Sequence, residues 1–368
     1  MKGEAAVPRW RESLGIIVLA LSTVALLFVF WQLSNLNREA ALDSGSMKRE
    51  RLVVAMTDRV VLVMQSVFAF EHAAVLDERP NVLPALRSAA GRQINALVAD
   101  FRTGDAASIA PADHGGALRK AWTEAVSVRP GPSSLQATHA VVKALEDTLQ
   151  AMQDASNLTY DPSVTAQNLA DVRVVELPYA MAGIDRVALY SDLAIKDRGL
   201  SLPDRFIVAS SINAVRSDTD LTSDNSGQVA QFLKALIPER AAEAGRLPSI
   251  AASLYKQGHT FAAFFTNEVL LKPVPTIPRD RVDGTAALIM KSVRGGFDSF
   301  GTALDTSLAR RGAIENTRSR YLYALYVIGA FFIFGAMIIV AQVIARRDRL
   351  ALRRAKEESA RLSAELAR

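Results

Sequence analysis

The feature that most constrains this chain is a pair of long uncharged apolar runs, one near each end. From Ser13 to Asn37 there is no charged residue, and Leu14 to Leu33 is apolar apart from Ser22, Thr23 and Gln32. At about 1.5 Å per residue such a run reaches roughly 30 Å as a helix, the thickness of a bilayer's hydrocarbon core. A second run, Tyr321 to Ala345, is equally free of charge. Soluble amphipathic helices keep a polar face, and neither run has one. Both are read as transmembrane helices, over 13–36 and 321–345. Trp31 in the first and Tyr321, Tyr323 and Tyr326 in the second fit interfacial aromatic belts. The first run is longer than the apolar core of a signal peptide, so an uncleaved anchor is expected even though Ala40-Ala41 offers a cleavage point.

Charge then sets the expected orientation. Residues 1–12 carry three basic and two acidic groups, residues 346–368 carry eight and four, and these tails account for the whole formal charge of +5. The 283 residues from Arg38 to Arg320 are neutral, with 32 groups of each sign. Arg346, Arg347, Arg349, Arg353, Arg354 and Lys356 directly follow the second run, as the positive-inside rule expects of a cytoplasmic flank. Arg346 and Arg347 are placed at the membrane interface, where anionic head groups suit them. Both tails are expected in the cytoplasm, with 37–320 on the other side. A neutral central region without a reader fold argues against a nucleic-acid partner. Cysteine is absent, which excludes disulfides, thiolate nucleophiles and cysteine zinc sites.

Within the central region Val53, Met56, Val60, Val63, Val67, Phe70 and Ala74 recur at steps of three and four, one apolar stripe on a helix that Pro80 and Pro84 end. Ser44-Gly45-Ser46 is expected to loosen its base. Ile289, Val293, Phe297, Phe300, Leu304 and Leu308 repeat in the same way and run without proline toward the second span. Helices that merge with both spans can pair only as antiparallel neighbours. Between them lie Leu118 to Val126 around Trp122, and a stripe of Leu135, Val142, Leu145, Leu149 and Met152 for which Ser134 is the expected N-cap. Breaks fall at Gly104 to Gly116, Arg129-Pro130-Gly131-Pro132, Tyr160-Asp161-Pro162 and Lys272-Pro273-Val274-Pro275. The expected class is all-α, with eight to ten helices outside the cytoplasm arranged as two stacked four-helix bundles.

From Val174 to Asn213 the signals are densest. Glu176-Leu177-Pro178 is read as opening a helix, Arg198-Gly199-Leu200 as closing it, and Ser201-Leu202-Pro203-Asp204 as starting the next, with Ser201 as N-cap and Asp204 at the third position of a capping box. Gly199 suits the left-handed residue after a helix end. This hairpin between two spans resembles the helical periplasmic sensing domains of bacterial receptors, of the helical bimodular and the nitrate/nitrite-sensing kinds. The Glu-Leu-Pro opening and the Arg-Gly-Leu turn carry the resemblance, over about 40 of the 368 residues. It implies the input half of a sensor histidine kinase, chemoreceptor or diguanylate cyclase in the bacterial inner membrane, with 37–320 periplasmic. In nitrate-sensing relatives arginines on bundle helices hold the anion, and a guanidinium's planar paired donors suit an oxyanion. Arg59, Arg186 and Arg198 are the candidates here. The competing reading pairs them within the chain, with Asp58, Asp185 or another carboxylate.

Other constellations are sparse. His72, His114, His139 and His259 form no H-x-x-x-H pair, so no metal is expected, and His139 reads as a packing residue. Glu71 and His72 point about 100° apart on a helix. No nucleotide-binding glycine loop and no catalytic order of Ser, His and Asp appears, so neither enzymatic activity nor a cofactor is expected. Gly295-Gly296-Phe297-Asp298 lacks the acidic pair of a cyclase signature. The 23 residues after Ala345 contain no histidine and no paired linker helices. Leu352, Ala355, Ser359, Leu362 and Leu366 keep a three-four repeat there, a short coiled coil. The expected function is a signal-transduction receptor module, a homodimer that senses a small anion or a periplasmic protein and relays helix motion. The alternative is a membrane-anchored scaffold that binds another protein through its bundle.

Overall fold

The computed structural model describes residues 10–77, 80–110, 112–156, 158, 164–221 and 246–366. It is about 90% helical and no described residue lies in a strand, so the chain is all-α. The expected break at Tyr160-Asp161-Pro162 and residues 1–9 of the N-terminal tail fall outside the described residues.

Nine α-helices are described: α1 (Trp10–Leu76), α2 (Leu83–Asp100), α3 (Ala112–Ser127), α4 (Leu135–Ser156), α5 (Val164–Ala170), α6 (Leu177–Lys196), α7 (Leu202–Asp218), α8 (Leu247–Phe265) and α9 (Arg279–Leu366). The chain divides into two compact units. One is Gly45–Arg311, and the other joins the residues up to Ser44 with those from Gly312 onward.

In the Gly45–Arg311 unit the three-four stripes become a single apolar core. Val53, Val60 and Val67 of α1, Leu145, Leu149 and Met152 of α4, and Val293, Phe300, Leu304 and Leu308 of α9 are fully buried in it. Each such side chain contributes about 1.5–3 kcal/mol on leaving water. Helix α2 packs on α3, α3 on α4, α6 on α7 and α7 on α8. Helices α1 and α9 are antiparallel here. Glu50 lies 3.5 Å from Arg311, and Gln65 accepts a 3.0 Å hydrogen bond from Arg294, so ascending α1 descends α9.

Four local expectations need correcting. Helix α1 runs unbroken through Ser44-Gly45-Ser46, where the Ser46 hydroxyl donates to Glu50 one turn on, at 2.8 Å. It ends at Leu76, before Pro80, because Asp77 turns to φ +52°. Its last carbonyls are met from outside, by Gly131 N–H on Ala74 at 2.7 Å and by the Lys196 ammonium on Leu76. Ser134 is a turn residue rather than a cap, its hydroxyl donating to the Gly131 carbonyl at 2.8 Å within a 3₁₀ turn over Pro132–Ser134. Glu176-Leu177-Pro178 opens α6 at Leu177 but not from a loop: α5 passes into α6 through a π turn, Asp171–Glu176. A proline ring collides with the carbonyl four residues back, here Val174, and the wider turn makes the room.

The hairpin itself follows its signals. The Ser201 hydroxyl accepts from Asp204 N–H at 3.3 Å as the N-cap of α7. Arg198, at φ +59°, takes the left-handed position assigned to Gly199, and Gly199 takes φ +146°, a conformation open to glycine. Arg205 fastens the turn to the loop after α8, donating to the carbonyls of Leu270 at 2.6 Å and Lys272 at 3.0 Å.

In the other unit the apolar side chains are outside. Leu21, Val24, Leu27, Phe28 and Phe30 of α1 and Leu325, Ile328, Phe331, Phe332, Phe334 and Ile339 of α9 are all more than half exposed. Two helical stretches are long and apolar enough to cross a membrane among the residues whose side chains are described, Gly45–Leu76 and Arg279–Glu365. The apolar window of the first is 56% buried in the protein and that of the second 0%. Gly45–Leu76 is thus a core helix by its packing, whereas no residue of the apolar window in Arg279–Glu365 is buried in protein. The run at 13–36 is helical, and its described side chains, from Ala20 on, are exposed or half-exposed.

Candidate functional site

The most unusual feature of the Gly45–Arg311 unit is a set of ionisable groups inside the core. Glu71 occupies the buried stripe of α1, one turn after Val67, and is 1% exposed. Its carboxyl accepts from the Thr138 hydroxyl of α4 at 2.8 Å and lies 3.3 Å from His139 Nε2, close but not aligned for a hydrogen bond. Burial, with help from the Asp185 carboxylate, pushes Glu71 up to about 8, which favours its neutral acid form. Burial and the Arg186 guanidinium drive His139 down to about 4, so it is neutral too. His72, one residue on, faces the other way to Asp185 of α6 at 3.1 Å. Burial pulls His72 down, but Asp185, by charge and hydrogen bond, outweighs it and holds the imidazole at about 9.

The set continues outward as ion pairs. Arg186 lies 3.9 Å from Glu146, whose pKa is raised by burial against the pull of Arg186. Asp192 lies 3.0 Å from Arg279 at the start of α9, and burial and Asp283 push it up to about 6. Helices α1, α4, α6 and α9 therefore meet around a network in which charged groups are matched and the unmatched pair, Glu71 and His139, is uncharged. That pattern limits the cost of placing ionisable groups in a core.

A second, acidic group lies where the π turn meets α4 and α7. Asp171 accepts from Gln153, and burial raises its pKa against that bond. Burial, then Asp218 and Asp171, push Glu176 up to about 7. Burial and Glu146 push Asp218 to about 7. No group of three or more histidine, aspartate and glutamate residues can hold a metal ion among the described residues.

Of the three arginines expected to bind a ligand, only Arg186 joins the buried network. Arg59 lies on the exposed face of α1 and pairs with Asp100 of α2. Arg198 is exposed on the hairpin turn, where its conformation rather than its charge shapes the chain. The arginine that is truly buried is Arg173, in the π turn. It donates to Asp58 of α1 and to the Phe297 carbonyl of α9, and its guanidinium lies 3.7 Å from the Phe297 ring centre. Sequence reasoning missed it. The available signal was its position between Val172 and Val174 in an otherwise apolar stretch. The Gly295-Gly296-Phe297-Asp298 quartet is ordinary helix in α9, with Phe297 in the core under Arg173.

Trp31, Tyr321 and Tyr323 are more than half exposed, Tyr326 is half-buried, and Arg346 and Arg347 are exposed. Comparison with family models, curated proteins and solved structures returns no match to this chain.

Proposed function

We propose that the chain is a membrane-bound signal-transduction receptor module of the bacterial inner membrane. In this reading 13–36 and 321–345 cross the bilayer, 1–12 and 346–368 are cytoplasmic, and 37–320 is a periplasmic sensor built as two stacked bundles. The observation that carries the reading is the antiparallel pairing of α1 and α9 in the helical domain, since each helix also contains one of the apolar runs. A displacement of one against the other on the sensor side would be delivered through the bilayer by the same two rods. Leu352 and Leu362, exposed in a single chain, are suited to a second copy on the cytoplasmic side.

The experiment is disulfide crosslinking between engineered cysteines in the two spans, for which a chain without native cysteine needs no background removal. Patterns that change when nitrate, nitrite or a periplasmic extract is added support a relay. Patterns identical under every condition sink it. A second reading, a scaffold that binds a partner constitutively, is favoured by Leu202, Phe206, Leu271 and Val274, all exposed at the hairpin and the loop after α8. Retrieval of one stoichiometric partner irrespective of ligand would select it.

A further inference from the structure

We propose that Arg173 is a latch that fixes the offset between α1 and α9 inside the helical domain, and that the π turn carrying it is the element that can reset that offset. The proposal rests on the relay reading above, because only there does the offset between these two helices carry information.

Arg173 is 3% exposed. One arm of its guanidinium donates to Asp58 on α1, another to the main-chain carbonyl of Phe297 on α9, and its flat face stacks on the Phe297 ring at 3.7 Å. A planar group with diverging donors can hold two helices at once, which a lysine's single ammonium cannot do with the same geometry. Two further ties between α1 and α9, Gln65 to Arg294 and Glu50 to Arg311, are direct side-chain contacts. Arg173 falls between them along α1 and comes from a third element, so what happens to that element is felt by both helices.

The fit is specific. A Cβ at Gly301 would overlap Arg173 Cζ, Nε and Nη1, so the guanidinium occupies the space that any other residue of α9 would fill. By contrast, a Cβ at Gly295, on the same helix, would meet nothing within 4 Å. Gly301 is thus the keyhole of the latch and Gly295 is not part of it.

The latch also stands on a movable base. π turns are rare and frequently found at functional sites. This one spans Asp171–Glu176, just before Pro178, and within it Arg173 Nε is buried without an acceptor, so the guanidinium is not fully satisfied where it sits. Moving the wide turn by one residue would rotate Arg173 by about 100° around its helix and withdraw it from both partners. Asp58 is 55% exposed, so the α1 end of the latch opens to solvent without unfolding the core. A two-state element biased from one side and read by two helices is what a relay requires.

The test uses the full chain in nanodiscs with spin labels on cysteines introduced at the exposed positions Ala55 of α1 and Thr302 of α9. The parent should give one narrow distance distribution. Gly301→Ala, which leaves every charge in place, and Asp58→Asn, which removes only the α1 partner's charge, should each shift the mean by about 1.5 Å, one residue of helix rise, or add a second population. Arg173→Ala should match them and Arg173→Lys should lie between it and the parent. Gly295→Ala should coincide with the parent. Should Arg173→Ala fail to fold, the Gly301 and Asp58 variants decide alone, each required to retain the parent's circular dichroism and cooperative melt. Parent-like distances in both overturn the latch. The span crosslinks, measured on the same variants, separate the two readings. Shifted distances with unaltered span crosslinks leave the latch and remove the relay, while nitrate-responsive crosslinks with parent-like distances do the reverse.

Discussion

Between Gly45 and Leu76, helix α1 buries Val53, Val60 and Val67 completely, whereas between Leu21 and Trp31 the same helix leaves Leu21, Val24, Leu27 and Phe30 more than half exposed. Helix α9 repeats the contrast, with Phe300, Leu304 and Leu308 inside and Phe331, Phe332 and Phe334 outside. Both stretches are predominantly apolar. What differs is the opposite face, which carries Arg51, Asp58 and Arg59 in the first stretch and no charge at all in the second. A helix with one polar face is finished by protein on the other. A helix apolar all round needs a surrounding apolar medium, which makes these stretches candidate membrane spans.

The sharpest way to break this comparison is to truncate one phenylalanine of α9 in each region. Phe300→Ala should cost the helical domain about 3–5 kcal/mol, from lost burial and the cavity left behind, seen as a large drop in its denaturation midpoint in detergent. Phe332→Ala, whose parent side chain is 76% exposed, should leave that midpoint in place. Equal destabilisation by both would mean that the apolar surface around Phe332 is protein core after all.

A smaller effect concerns pH, and only the domain should feel it, because the runs 13–36 and 321–345 contain no charged residue. Glu71 is raised from 4.5 to about 8, so folding retains a proton that the unfolded chain loses above pH 4.5. Stability therefore falls as pH rises from 4.5 to about 8, by at most about 1.4 kcal/mol per pH unit from this group. His72, raised to about 9, acts in the same direction: its contribution is complete below 6.5 and lost as pH rises through 9. His139, lowered to about 4, works on the other side, its contribution present above 6.5 and lost as pH falls through 4. The domain should be most stable in mildly acidic solution. Glu71→Gln, a neutral isostere, should flatten the decline between pH 6 and 8 in a series of urea melts. An unchanged slope would show that Glu71 is ionised in the folded protein.

What could be read beforehand divides along similar lines. The stripes of α1, α4 and α9 were legible because periodicity depends on local geometry alone, and the residues named from it are buried apart from Leu135, which is half-buried. The Ser201 cap was legible for the same reason. The network was not, since Thr138 and His139 lie 67 and 68 positions from Glu71, and Asp185 lies 113 from His72, distances over which no local rule reaches. Glu71 was still detectable in principle as a carboxylate on the buried stripe. Arg59 misled because its neighbours Val60 and Val61 are core while its own direction is outward. The wide turn before Pro178 was hidden because proline signals a helix start and an internal bulge in the same way.

At the hairpin, where sequence signals and structure agree best, effects of about 1 kcal/mol are expected. Ser201→Ala should lower stability by about that amount, by leaving the Asp204 N–H without its acceptor. Arg198→Gly should raise it by up to about 1 kcal/mol, relieving the φ +59° strain, and by the same step it tests whether Arg198 binds anything. If a nitrate-dependent signal survives Arg198→Gly, the residue is a backbone device.

The smallest effect should come from Arg59. Its partner Asp100 is on α2 and the arginine side chain is 59% exposed, so solvent screens the pair and Arg59→Ala should change stability by less than about 1 kcal/mol. The contrast with Arg173, which is buried and ties α1 to α9 instead, is the useful part. Adding 0.5 M salt should reproduce most of the Arg59→Ala change, because screening removes what the mutation removes. The contacts of Arg173 are sheltered and should respond little to the same salt. Were Arg59→Ala instead to abolish a ligand response while stability stayed level, the exposed face of α1 between Asp58 and Leu62 would become the binding surface, and the buried network would be left with a structural role.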